Sequence, residues 1–197
     1  MARADFVKAA RKDIYCHGKR VEAVHEKGKH AGKTYIKLDR TQPADENDKI
    51  LIHKGESYWT WCFIHQNPQY SRTRPRPSQL TQSEFLSTYY GIQEEIDDWK
   101  PESHEEDTLE EFISTIMGEL EDLRDETQER LDNMPEGLQE SDTGQLLQER
   151  IDECDNLISE FECIDTTPNY DDDADEEEKA EWWDDKVQEI KDVCFNL

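Results

Sequence analysis

The stretch Ser71-Arg-Thr-Arg-Pro-Arg-Pro-Ser-Gln-Leu-Thr-Gln-Ser-Glu-Phe85 decides how this chain is organised. Its first half carries two prolines at alternate positions, which exclude helix and favour an extended, polyproline-like linker. Its second half holds Thr81-Gln-Ser-Glu84, the spacing of a capping box, directly before an apolar residue. A boundary falls here, with a different periodicity on each side.

On the C-terminal side the period is 3.6. Phe85, Tyr89, Ile92, Ile96 and Trp99 share one face and Pro101 ends the run, which predicts a helix over 81–99. Thr108-Leu-Glu-Glu111 is a second capping box, followed by Phe112, Ile116, Leu120, Leu123 and Leu131 and stopped by Pro135 and Gly137, for a helix over 108–134. Asp142 or Thr143 caps a third over 142–165, with Leu147, Ile151, Cys154, Ile158 and Phe161 at alternating spacings of four and three. The acidic run 171–178 leads into a fourth over 175–195, carrying Ala180, Trp183, Val187, Ile190 and Cys194. At about 1.5 Å per residue the second and third helices are roughly 35–40 Å long. Their short Pro/Gly connection makes them antiparallel neighbours.

On the N-terminal side helical periodicity is absent, apart from a helical turn or two expected within 4–15. Residues 34–38, 49–53 and 57–65 read as strands rich in Ile, Tyr, Trp and Thr. Lys54-Gly55-Glu56 between the last two suits a hairpin. The fold class is α+β: a basic β-rich module over 1–77, then an acidic antiparallel helical bundle or hairpin over 78–197.

Charge divides at the same place. Residues 1–80 carry 16 Lys/Arg against 9 Asp/Glu, and residues 81–197 carry 7 against 40, so +7 is joined to −33 for a net −26. The acidic part repels nucleic acid, anionic lipid and its own copies, and attracts basic surfaces over a Debye length of about 8–10 Å. There is no run of 18 apolar residues for a membrane span and no apolar stretch after the basic N-terminus for a signal peptide. Five cysteines, an odd number in mostly apolar-periodic positions, fit packed thiols in a reducing compartment. The expectation is a cytoplasmic protein.

The strings Ala10-Arg-Lys-Asp-Ile14, Lys54-Gly-Glu-Ser-Tyr58, Ser78-Gln-Leu-Thr-Gln-Ser-Glu-Phe85 and Leu131-Asp-Asn-Met-Pro-Glu-Gly-Leu-Gln-Glu-Ser-Asp-Thr-Gly-Gln-Leu-Leu-Gln-Glu-Arg150 together resemble a family of proteins from tailed bacteriophages. The resemblance spans most of residues 10–165. It implies a phage accessory protein working in the cytoplasm of a bacterial host, and it brings no activity with it. Residues 171–197 lie outside it.

Several constellations carry chemistry in principle. Cys16-His17 and Cys62-x-x-His65 hold the ligand types that zinc takes tetrahedrally, with His25, His30 and His53 spare. Adjacent Cys-His seldom serves one ion through both side chains, and Cys62 lies among aromatics as a packed thiol would, so no cofactor is expected and zinc is the alternative. The run 171–178 fails as a calcium loop, with Glu176 where the turn needs glycine and Trp182 where a bidentate glutamate belongs. It reads as a solvated helix N-terminus. There is no phosphate-cradling glycine loop, no Gly-x-Ser-x-Gly and no cysteine with a positioned histidine. An enzyme is not expected, a metal-dependent hydrolase being the alternative.

Two binding readings follow. Glu110, Glu111, Asp122, Asp125, Glu126 and Glu129 fall opposite the apolar stripe of the second helix and offer a line of carboxylates to a host protein with a basic surface. Inhibition of such a host factor, for instance a defence protein, by DNA mimicry is the sharpest form. The rival is a nucleic-acid-binding module in residues 1–78, using Trp59, Trp61, Arg72, Arg74 and Arg76 for stacking and phosphate contact. No membrane partner is expected, and the helices could also pair between copies of the chain.

Overall fold

A computed structural model describes the chain apart from residues 28, 65, 102–105, 171–173, 194 and 197. His65, Cys194 and the first three residues of the acidic run therefore lie outside the described residues. The chain forms two compact units, Met1–Gln82 and Ser83–Leu197.

The first unit is built from short antiparallel strands: β1 (Asp5–Val7), β2 (Ile14–Tyr15), β3 (Lys19–Val24), β4 (Thr34–Asp39), β5 (Ile50–Ile52), β6 (Tyr58–Trp61) and β7 (Gln69–Ser71). They make a three-stranded sheet in the order β1-β6-β7 and two ribbons, β2-β5 and β3-β4. The three expected strands are present, but the expected hairpin between the second and third is not. β5 pairs with β2 and β6 with β1, because the Lys54–Glu56 connection is clasped from outside: Ala10 N–H donates to the Glu56 carbonyl and Gly55 N–H to the Ala10 carbonyl, both at 2.8 Å. The turn was legible and its partner was not.

The first fifteen residues supply two of those partners as β1 and β2, in place of the helical turns expected there. Nor is the Arg/Pro stretch a free linker. Ser71 ends β7, Pro75 is buried, and Pro77–Leu80 forms a short 3-10 helix whose Leu80 carbonyl accepts Ala2 N–H. The core of this unit is small: Ala10, Ile14 and Ile52, with Leu51, Tyr58 and Tyr70 packed against it.

The second unit is helical: α1 (Glu84–Asp98), α2 (Glu106–Asp132), the single turn α3 (Glu136–Gln139), α4 (Asp142–Glu162) and α5 (Glu176–Lys191). All four expected helices are found, each within four residues of its expected bounds. Ser83, not Thr81, caps α1, its hydroxyl accepting Leu86 N–H at 3.3 Å. Thr108 lies inside the first turn of α2 rather than capping it. Ser141 rather than Asp142 or Thr143 caps α4, accepting Gly144 N–H. At α1 and α4 a serine hydroxyl serves the first free N–H groups, and the competing Ser/Thr/Asp choices lie within three residues of it.

Phe85, Tyr89, Ile92 and Ile96 of α1, Ile116, Leu120 and Leu123 of α2 and all five stripe residues of α4 are buried. Leu109, Ile113 and Leu157 widen the stripes, and Trp182 and Trp183 of α5 join the same core. Each fully buried aromatic such as Phe85, Phe161 or Trp183 contributes about 1.5–3 kcal/mol from area removed from water. α2 and α4 run antiparallel, since Glu110 near the start of α2 meets Thr166 beyond α4, while Arg124 further on meets Asp155 within α4. Tyr89 ties α1 to both α4 and the C-terminal tail. Its hydroxyl donates to Glu153 Oε1 at 2.7 Å and accepts Asn196 N–H at 3.0 Å. No helix among the described residues is long and apolar enough to cross a membrane.

Candidate functional site

The apolar stripes face one another inside the helical unit, which turns the remaining positions of α2 and α4 outward. Glu110, Glu111, Asp122, Asp125, Glu126 and Glu129 all lie on α2 and all are exposed. Thr127 is the one buried polar residue among those described, its hydroxyl satisfied by the Leu123 carbonyl at 2.8 Å, so the carboxylates on this face stand in solvent.

They are not equally free. Arg124 reaches Asp125 at 2.9 Å and Asp155 of α4 at 3.3 Å, and Arg130 reaches Glu84 of α1 at 2.7 Å and Glu126 at 3.8 Å. Glu110 accepts the Thr166 hydroxyl at 3.2 Å. Glu111, Asp122 and Glu129 have no side-chain hydrogen bond or ion pair among the described residues. Beside them Glu119 is pushed above the usual carboxylate range, first by burial and then by the charges of Glu95 and Asp122. Negative charge on this face is therefore already crowded.

The charge of the whole α2–α4 hairpin can be put beside that of nucleic acid. α2 carries eleven carboxylates and two arginines, α4 seven and one, for formal charges of −9 and −6. Spread along about 40 Å of hairpin, this is roughly one net charge per 2.7 Å. A single nucleic-acid strand carries one per about 3.4 Å and a duplex one per about 1.7 Å. The share from α4, Glu149, Asp152 and Asp155 in particular, was open to sequence reasoning, since these positions too fall opposite an apolar stripe.

The residues of the rival reading lie in the first unit and are dispersed. Trp61 is buried, while Trp59 is half-buried against Phe6, ring centroids 5.2 Å apart, with the Arg74 guanidinium 5.8 Å from its ring. Arg72 pairs with Glu56 at 3.4 Å, and the backbone N–H of Arg76 donates to Gln79 Oε1 at 3.1 Å. One tryptophan of the two is thus buried.

Of the residue types that zinc would need, His17 Nδ1 lies 3.0 Å from Asp48 Oδ1. The Cys16 N–H donates to the Lys49 carbonyl at the edge of β2 and β5. Cys62 follows β6 and, contrary to the packed thiol expected of it, is exposed, its Sγ directed at the Phe63 and Gln66 carbonyls. The Cys154 thiol is pushed up to about 11 by burial, with Asp155 and Glu153 adding to it, so it is a packed thiol as the stripe required. Asp175 caps α5, accepting Glu177 and Glu178 N–H at 3.1 and 2.9 Å, which gives the described end of the acidic run the helix-terminal role expected of it.

Compared with protein-family models, with curated proteins and with solved structures, the chain matches none of them.

Proposed function

We propose that this chain is a non-enzymatic phage accessory protein whose acidic helical unit binds a basic surface on a host protein and inhibits it by occupying a nucleic-acid-binding site. The phage setting rests on the resemblance over residues 10–165. One observation supports the mimicry above others: the α2–α4 hairpin holds a charge of −15 along about 40 Å, a line density between those of single-stranded and duplex nucleic acid. Asp122 and Glu129, exposed and unpaired among the described residues, are the groups best placed to meet a partner's lysines and arginines. Arg124 and Arg130 hold neighbouring carboxylates in place.

Capture from host lysate tests this, using the intact chain and its Asp122→Lys, Asp125→Lys, Glu129→Lys variant. A protein retained by the first, lost by the second and displaced by duplex DNA supports the reading. Equal capture by both chains, or retention of nucleic acid in place of protein, overturns it.

A further inference from the structure

The first unit contains a cavity of about 520 Å³ where the β1–β2 connection, the end of β4 and one face of the β1-β6-β7 sheet converge. Its volume is in the range of small-molecule sites. What distinguishes it is charge. Arg11, Lys12 and Arg40 line it, and no carboxylate does, in a chain with 49 Asp and Glu among 197 residues. Asp39 is close in sequence but is occupied, accepting the backbone N–H and hydroxyl of Thr41 at 2.9 and 2.8 Å and the Gln42 amide at 3.0 Å.

Arg40 is held there by packing. The side chain lies against Gly18, where a Cβ would stand 2.8 Å from both the Cα and the Cγ of Arg40. Its guanidinium sits 5.7 Å from the Tyr70 ring centroid. Its Nε is buried with no hydrogen-bond acceptor, and no carboxylate pairs with it among the described residues. Arg40 is half-buried, and a cation with one N–H buried and unsatisfied and no carboxylate partner is favourably met by an anionic ligand.

The aromatic wall comes from register. Tyr70 of β7 pairs with Thr60, so Tyr58, two residues before Thr60, lies on the same face of the sheet as Tyr70. Their ring centroids are 5.9 Å apart and both line the cavity. Trp59 and Phe6 occupy the opposite face.

We propose that this cavity is a nucleotide-binding site, with Arg40, Arg11 and Lys12 taking the phosphate and Tyr58 and Tyr70 packing against the base. It is independent of the acidic face and uses none of its residues. A free mononucleotide and one residue of a single strand share this chemistry and are separated by the test.

The intact chain is titrated calorimetrically at low ionic strength with thymidine 5′-monophosphate, a short oligothymidylate and inorganic phosphate. Binding of either thymidine ligand is expected, inorganic phosphate being at least about tenfold weaker because it lacks the stacked base. An oligomer tighter than the monomer by more than about tenfold identifies the strand as source; near equality identifies the free nucleotide. Arg40→Gln should weaken binding by about tenfold or more, as loss of a charge-assisted contact does. The exposed pair Arg11→Gln, Lys12→Gln, which leaves the core untouched, should do the same with an unchanged circular dichroism spectrum. No binding at about 1 mM thymidine ligand, inorganic phosphate binding as well as the mononucleotide, or full affinity in both variants would overturn the proposal.

Discussion

The carboxylate of Asp48 accepts the backbone N–H of Gly18 at 2.8 Å although thirty residues separate the two in the chain. The same oxygen accepts Ala44 N–H at 2.9 Å, and the other accepts His17 N–H at 3.0 Å. Gly18 has φ +72 and no room for a side chain beside Arg40. One carboxylate thus closes the loop after β4, fixes a left-handed residue and, through it, seats Arg40.

Asp48→Asn should therefore loosen the first unit locally. An amide offers a single acceptor oxygen where two are in use, so at least one of the three backbone N–H groups loses its partner. Hydrogen exchange at His17, Gly18 or Ala44 should accelerate, and the unfolding temperature of this unit should fall by about 5 °C. Burial opposes the charged form of Asp48, but its three backbone donors and His17 outweigh it and hold the carboxyl well below its ordinary value of 3.8. A carboxyl depressed in the folded state contributes stability above 3.8 that is lost as pH falls from there toward the folded value. Wild type should thus lose stability in acid across that window, and the variant should show less of this slope. Unchanged exchange and an unchanged slope would contradict the role.

Gly144→Ala reverses a familiar rule. In a helix interior the change normally gains about 1 kcal/mol. Here a Cβ would stand 2.0 Å from the Gln139 carbonyl oxygen and 2.8 Å from its Cα, which belong to the backbone of α3 and cannot swing aside. The helical unit should lose roughly 1–3 kcal/mol, as overpacking does. Chemical denaturation of the variant measures it, and a gain in stability would show that the α3–α4 turn yields freely.

The contrast between the two units shows what the sequence could tell. In the helical unit, Phe85, Tyr89, Ile92 and Ile96 announce a buried face because helix partners i and i+4 are local, and capping residues announce the ends to within three positions. The acidic face came with it, as the complement of the stripes. In the first unit, β5 and β6 were visible as strands, yet their partners β2 and β1 lie 35 or more residues earlier and carry no local signal of pairing. Tyr58 and Tyr70 share a face only through that register, and Arg40 enters only because Gly18 lacks a Cβ. Site residues that depend on long-range pairing were for that reason not legible.

Glu119→Gln should stabilise the helical unit at neutral pH. Burial first, then Glu95 and Asp122, raise its carboxyl above the usual range. A carboxyl raised in the folded state is a liability while ionised, and the liability is relieved as pH falls through its raised value toward the unfolded one. The variant should therefore melt about 2 °C higher at pH 7 and lose this advantage at low pH. A variant less stable at pH 7 would mean that Glu119 has a favourable partner that outweighs its acidic neighbours.

Residues 83–197 should fold without the first unit. Capped helices, matched stripes and the Tyr89–Glu153–Asn196 network agree with one another inside this segment. A chain of these residues should give a strongly helical circular dichroism spectrum and a cooperative melt. Forty carboxylates against seven cations repel, so about 0.3 M salt should raise its melting temperature. A non-cooperative melt would place part of its stability outside the segment.

The decisive prediction concerns the acidic face. Asp122, Asp125 and Glu129 lie off the apolar stripe of α2, so changing all three to lysine should cost little stability, the Arg124–Asp125 pair being exposed and weak. If this face meets a basic partner, the substitution reverses the steering field, which acts mainly on the association rate and is strongly dependent on salt. Association with the captured host protein should slow by roughly tenfold at low ionic strength, with the difference shrinking as salt is added. Changing Arg72, Arg74 and Arg76 to glutamate in the first unit should leave the rate nearly unchanged. The opposite ranking, arginines critical and carboxylates silent, would move the binding surface to the first unit and sink the mimicry reading.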